Sequence, residues 1–216
     1  MIPCKHSEKK AVLCGLLGLL LALTGCVNVG LKKAYPDIRT YSLDAGSQQH
    51  TTAAGAPVSI RINPFSAVPN FGDRYLTYRT GGTSYEQDFY NQFMASPAKI
   101  IEAQISDWMK ESPLVSFVIP ADSEDTPAYV IEGKLADLSG DYRNVAEAKA
   151  VLKIQLTVGS PDPKNPKVLF QKMYASEIPI GQPSPKLLTE GWSQGLGRIM
   201  AEFENDLNSV AASVSH

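Results

Sequence analysis

A run of thirteen residues, Ala11 to Leu23, holds only apolar and small side chains and stops at Thr24-Gly25-Cys26. Lys5, Lys9 and Lys10 stand ahead of it, so the segment has the basic start, apolar middle and small-residue exit of an export signal. As a helix it reaches about 20 Å, well short of a hydrocarbon core roughly 30 Å thick, and it is not read as a spanning anchor. The fold must therefore be sought downstream, in a chain expected to cross a membrane and leave this segment behind.

The tetrad Leu23-Thr24-Gly25-Cys26 resembles the lipobox of bacterial lipoprotein precursors. The resemblance implies that residues 1–25 are removed, that Cys26 becomes the first residue, and that its acylation supplies membrane attachment. In such proteins Asp after the cysteine favours retention in the inner membrane. Val27 stands here, which implies the outer membrane. The competing reading is an ordinary secretory signal with a cysteine near its cut site.

Removing residues 1–25 from 216 leaves 191, enough for one domain with a sizeable core. The whole chain carries −2; the signal, with three Lys and Glu8, carries +2, so the mature chain carries −4. That balance gives no electrostatic footprint for nucleic acid or for anionic headgroups. Cys4 and Cys14 leave with the signal and Cys26 is taken by lipid, so no disulfide is expected. His6, His50 and His216 lie in the signal, in a Gln/Thr/Ala/Gly stretch and at the last residue, so the expected core has neither imidazole nor thiol. Without them only all-oxygen metal sites remain, and no EF-hand spacing is present. No cofactor and no metal are expected.

Residues 26–36 read as a lipidated tether and 37–216 as the domain. Ile38 to Leu43 reads as a first strand and Ala45 to Pro57 as a loop. Val58 to Ile62 and Arg74 to Arg79 alternate as half-buried strands do. Ser96-Pro97 opens a helix in which Ala98, Ile101, Ile105, Trp108 and Met109 share a face, and Ser112-Pro113 closes it. Strands follow at Val115 to Ile119, Tyr129 to Leu138, Ala148 to Val158 and Val168 to Ile178, the last two joined by a turn-rich hairpin connection. From Lys186 onward Leu188, Trp192, Leu196, Ile199, Met200, Phe203, Leu207 and Val210 mark one face of a long terminal helix. Two helices, each after a group of strands, predict an α+β fold: a mainly antiparallel sheet with two principal helices packed on one face.

Three patterns invite a catalytic reading. Gly191-Trp192-Ser193-Gln194-Gly195 matches the GxSxG nucleophile elbow, but it sits inside the periodic terminal helix, and the only histidine after it is His216. Ser96-Pro97-Ala98-Lys99 matches SxxK without the SDN and KTG motifs that accompany it; a serine before a first-turn proline reads as a cap. Glu86 and Asp88 stand two apart and, if on a strand, would share a face about 7 Å apart, a separation compatible with inverting glycoside hydrolysis. A solvated face is the simpler reading of that pair. There is no phosphate loop, so the chain is not itself an ATPase. The chain is read as a non-enzyme, with a lipid-anchored serine hydrolase using Ser193 as the alternative.

Phe71, Tyr75, Tyr78, Tyr85, Phe89, Tyr90 and Phe93 gather seven aromatics within 23 residues. Core packing accounts for some of them. Alternation puts Leu76 and Tyr78 on one face and Tyr75 and Thr77 on the other, leaving part of the cluster open to a partner. Tyr75, Tyr78, Tyr85, Phe89 and Tyr90 are the candidate interface residues.

In order behind the lipobox come Tyr41-Ser42-Leu43, Asn63-Pro64-Phe65, Asp73 to Arg79 (DRYLTYR), Asp88-Phe89-Tyr90, Pro97-Ala98, Trp108, Glu132-Gly133-Lys134, Gly140-Asp141-Tyr142-Arg143 and Trp192. This succession resembles the ABC-type transport auxiliary lipoprotein family, which includes the PqiC lipoproteins, over nearly the whole mature chain. The resemblance implies an outer-membrane lipoprotein facing the periplasm, without enzymatic activity, and a fold related to the TolB amino-terminal domain. It serves an MCE-type lipid transport system whose MCE-domain, permease and ATPase subunits are separate chains. Some members of the family assemble as homo-oligomeric rings. Cys26 is the one functional position carried over; a scaffold for another envelope machine is the remaining alternative.

Overall fold

A computed structural model describes residues 37–46, 50–53, 55–162 and 164–214. The expected signal, the tether and Cys26 lie outside the described residues. From Asp37 onward the chain makes one compact unit. Its strands are β1 (Arg39–Tyr41), β2 (Val58–Ile62), β3 (Ser66–Ala67), β4 (Tyr75–Arg79), β5 (Tyr85–Phe93), β6 (Val115–Ile119), β7 (Tyr129–Asp141), β8 (Lys149–Gly159) and β9 (Val168–Pro179). Helix α1 (Pro97–Glu111) follows β5, and α2 (Pro185–Val214) closes the chain.

The fold is α+β, and all nine strands of the described residues join in one mixed sheet. Its spine is β7, thirteen residues long. One edge of β7 pairs antiparallel with β8, which pairs antiparallel with β9, each ladder running over eleven positions. The other edge is shared by three short parallel partners, β2, β3 and β4, in turn. Antiparallel pairing thus dominates by length, while the short ladders from the first half of the chain are mostly parallel. Strand β5 lies antiparallel to β4, and β1 lies parallel on the outside of β5.

Both helices contribute to one core. Ile101, Ile105, Trp108 and Met109 of α1, and Leu188, Trp192, Leu196, Ile199, Met200, Phe203 and Leu207 of α2, are buried with Ile131, Leu135, Leu152, Ile154 and Leu156 of the sheet. The GxSxG glycines let α2 approach closely: a β-carbon on Gly191 would stand 2.7 Å from Ala150 Cβ, and one on Gly195 would stand 2.9 Å from Ser176 Oγ. Trp192 fills the seam, its Nε1 donating to the Val151 carbonyl at 3.0 Å and reaching the Ser139 carbonyl at 3.3 Å. A buried indole N–H finds its acceptor there in the backbone of the sheet.

Two features go beyond what the sequence leads one to expect. Strand β5 is an added element, because its sequence YEQDFYNQF does not alternate. The other is His50, a loop residue that reaches the edge of the core: it packs edge-on against Trp108, 5.1 Å between ring centres, and its Nδ1 stands 3.2 Å from Glu204 Oε1. Glu204 is fully buried on α2. It also accepts from Trp108 Nε1 at 3.3 Å and from the Ser112 hydroxyl that ends α1. The loop after β1 is tied to both helices at this carboxylate, so the buried oxygens are not left without donors.

Candidate docking surface

Strands β4 and β5 hold the aromatic cluster, and a bulge decides which members face out. The register passes from Leu76↔Asp88 to Tyr75↔Gln92, so Phe89, Tyr90 and Asn91 have no partner on β4. Asp88 builds this insertion. Its Oδ1 accepts the backbone N–H groups of Tyr90 at 2.9 Å and Asn91 at 3.1 Å; its Oδ2 accepts from Asn91 Nδ2 at 2.8 Å and from the Tyr78 hydroxyl at 2.7 Å. Folding extra residues around an Asp side chain re-aims the side chains they carry.

Burial would raise the Asp88 carboxyl, but hydrogen bonds from Tyr78, Asn91 and the two backbone amides outweigh it and hold the group below its ordinary value. Burial, and the bond it donates to Asp88, push the Tyr78 phenol well up. Tyr78 also stacks on Tyr142 with ring centres 5.0 Å apart. Burial pushes the Tyr142 phenol up to about 12. A network of Tyr41, Asn91, Asp88, Tyr78 and Tyr142 thus occupies the helix side of the sheet edge, Tyr41 donating to Asn91 Oδ1 at 3.1 Å.

Of the five candidate interface residues, the structure sets Tyr78 apart from the rest. Tyr78 is half-buried in the network just described. Tyr85, Phe89 and Tyr90 are exposed, at 39%, 59% and 55%, and the half-buried Tyr75 packs edge-on against Phe89, ring centres 4.9 Å apart. Arg79 lies over Tyr85, and Phe71 meets its edge.

The catalytic candidates are occupied otherwise. The Ser193 hydroxyl donates to the Thr189 carbonyl at 2.8 Å, one helical turn back, and accepts the Asp44 backbone N–H at 3.2 Å. Ser96 precedes α1 and Pro97 begins it, although the Ser96 side chain makes no capping bond; its carbonyl accepts the N–H of Ile100. Asp88 is bonded at both oxygens, while Glu86 is exposed. Among the described residues no group of three or more His, Asp and Glu side chains is placed to hold a metal, and no helix is long and apolar enough to cross a membrane.

Sequence reasoning missed two features. The buried Glu204 had a signal, since it interrupts the apolar stripe between Phe203 and Leu207. The β5 bulge had none beyond an Asp two residues before Tyr90.

No family model and no curated protein matches the sequence. Solved structures do match the fold. A Xanthomonas campestris protein described by the family model DUF330 is similar at a TM-score of 0.67 with 12% identity, over 82% of this chain and 98% of that one. An uncharacterised protein is similar at 0.61 with 9% identity, over 79% and 99%. A hypothetical protein of Chlamydia trachomatis reaches 0.49 with 13% identity, over 73% and 99%. At these identities the likeness shows the fold, a single domain shared nearly end to end with the first two.

Proposed function

We propose that the chain is an outer-membrane lipoprotein, anchored through Cys26, whose domain is the docking component of an MCE-type ABC lipid transport system. In this reading it binds the MCE-domain protein and, through it, the permease and ATPase, and transforms nothing chemically. One observation carries the reading: the scattered segments on which the family resemblance rests meet in space as pairs. Phe65 of Asn63-Pro64-Phe65 lies on Gly133 of Glu132-Gly133-Lys134, where a β-carbon would stand 2.2 Å from the ring, and Asn63 Nδ2 donates to Glu132 Oε1 at 3.1 Å. Tyr78 of the DRYLTYR segment joins Asp88 of Asp88-Phe89-Tyr90 to Tyr142 of Gly140-Asp141-Tyr142-Arg143. Residues that need one another to pack form one pattern rather than several independent coincidences.

The occupied Ser193 hydroxyl supports binding over hydrolysis. The test is crosslinking in intact envelopes followed by capture of this chain. Recovery of an MCE-domain protein supports the proposal; its absence, with a different envelope assembly recovered reproducibly, would replace docking to this system with the scaffold reading.

A further inference from the structure

The face of the sheet away from the helices is divided in character. Across β7, β8 and β9 it presents Glu132, Lys134, Lys153 and Glu177, charges of both signs, with Gln155 and the exposed Met173 among them, set by the alternation opposite Ile131, Leu135, Ile154 and Leu156. Tyr75 shares that face with Thr77, which pairs with Ser139, and the bulge brings Phe89 onto it. The parallel pairing of Arg39 with Asn91 puts Ile38, 53% exposed, level with Tyr90. Ile38, Phe89 and Tyr90 therefore form an exposed apolar and phenolic patch at the β1 edge, whereas Tyr85, at the other end of β5, pairs with Arg79 and lies under its guanidinium.

Ile38 is also where the chain from Cys26 enters the fold. Twelve residue steps separate the two, a reach of at most about 40 Å, comparable to the diameter of a 180-residue domain, about 40 Å from its expected radius of gyration. Ile38, one of the patch residues, stands at the start of the domain, directly after the tether in the sequence. A tyrosine with an apolar ring and a wet hydroxyl, beside Phe and Ile, suits the headgroup boundary of a bilayer. The patch is too small to retain a free domain, but a lipid on the same short tether supplies a high effective concentration.

Resting on the reading of Cys26 as lipidated, we propose that the patch of Ile38, Phe89 and Tyr90 seats on the phospholipid surface beside the anchor. This contact orients the domain, leaving the charged β7–β9 end away from the membrane. The occupant is lipid rather than a protein partner because the patch adjoins the tether entry and its contact residues carry no charge.

The test uses the full chain, matured in cells and reconstituted into vesicles of phosphatidylethanolamine and phosphatidylglycerol containing brominated lipid. An environment-sensitive fluorophore is attached through Gln87→Cys, an exposed position on the same face, or through Glu177→Cys at the charged end. Quenching at Gln87→Cys and none at Glu177→Cys is expected, insensitive to salt, and lost when Phe89→Ser and Tyr90→Ser are combined without a change in melting temperature. Flotation with the vesicles but equal quenching at both sites would overturn the proposal alone. Failure to float, with Cys26 itself taking the label, would overturn the lipid anchor and the proposal with it. Protection of Gln87→Cys only after addition of an envelope protein would assign the patch to that protein instead.

Discussion

Gly133 lies under the ring of Phe65, so near that a β-carbon on it would stand 2.2 Å from Phe65 Cε2. Phe65 belongs to the core, and its backbone N–H is held by Glu102 of α1 at 2.8 Å. Gly133→Ala should therefore overpack the site and cost about 1–3 kcal/mol, read as a lower urea midpoint. Phe65→Leu in the same chain should recover part of the loss. An unchanged midpoint in Gly133→Ala would contradict this packing.

The seam between α2 and the sheet predicts a larger effect of opposite sign in volume. Leu196 and Ile199 are buried to within 1% of full enclosure. Truncation of either to Ala should cost about 2–5 kcal/mol, combining lost transfer energy with a residual cavity. Denaturant unfolding of the two variants checks it, and values within error of the parent would reject the docking of α2 described above.

Ser193→Ala should leave the cellular role intact, because the hydroxyl is bonded to Thr189 and Asp44 within a helix rather than exposed on a strained turn. A fluorophosphonate probe should not label the protein. Covalent labelling that disappears in Ser193→Ala would install the hydrolase in place of docking.

Stability should fall at both ends of the pH scale, for opposite reasons. Asp88 and Asp206 are held low in the fold despite burial, by their hydrogen bonds, and Asp141 is held down to about 2 by its bonds from Arg143. Groups with depressed folded values contribute stability that is present above an unfolded pKa of about 4 and lost as pH falls below it. Asp137, raised by burial, contributes with the opposite sign. Tyr78 and Tyr142 are raised, so their contribution is present below an unfolded pKa of about 10 and lost as pH climbs above it. Unfolding of Asp88→Asn across pH 2–7 should show a shallower acid limb than the parent; parallel curves would contradict the Asp88 network.

The long elements were legible because their apolar residues keep one period. Val58–Ile62 and Val115–Ile119 match the expected strands at both ends, and α1 runs from Pro97 to the residue before Ser112. Strand β5 escaped notice because Asp88 gathers two successive N–H groups and inserts three residues, which destroys the period of two that identifies a strand. His50 reads as loop in the sequence because nothing local ties it inward; its partners Trp108 and Glu204 stand 58 and 154 positions away. Parallel pairing of β2, β3 and β4 with one edge of β7 is likewise a property of crossovers that no single window carries. The aromatic cluster was visible as composition, but which rings face out depends on the bulge.

Anchoring through Cys26 underlies the docking role, the outer-membrane location and the seating of the aromatic patch. Its most direct test is the intact mass of the protein extracted with detergent from envelopes. The expected species begins at Cys26 and carries the added mass of a lipid-modified cysteine, and it is absent when Cys26→Ser blocks processing. A mature chain starting elsewhere, or one with an unmodified thiol at Cys26, would contradict the account.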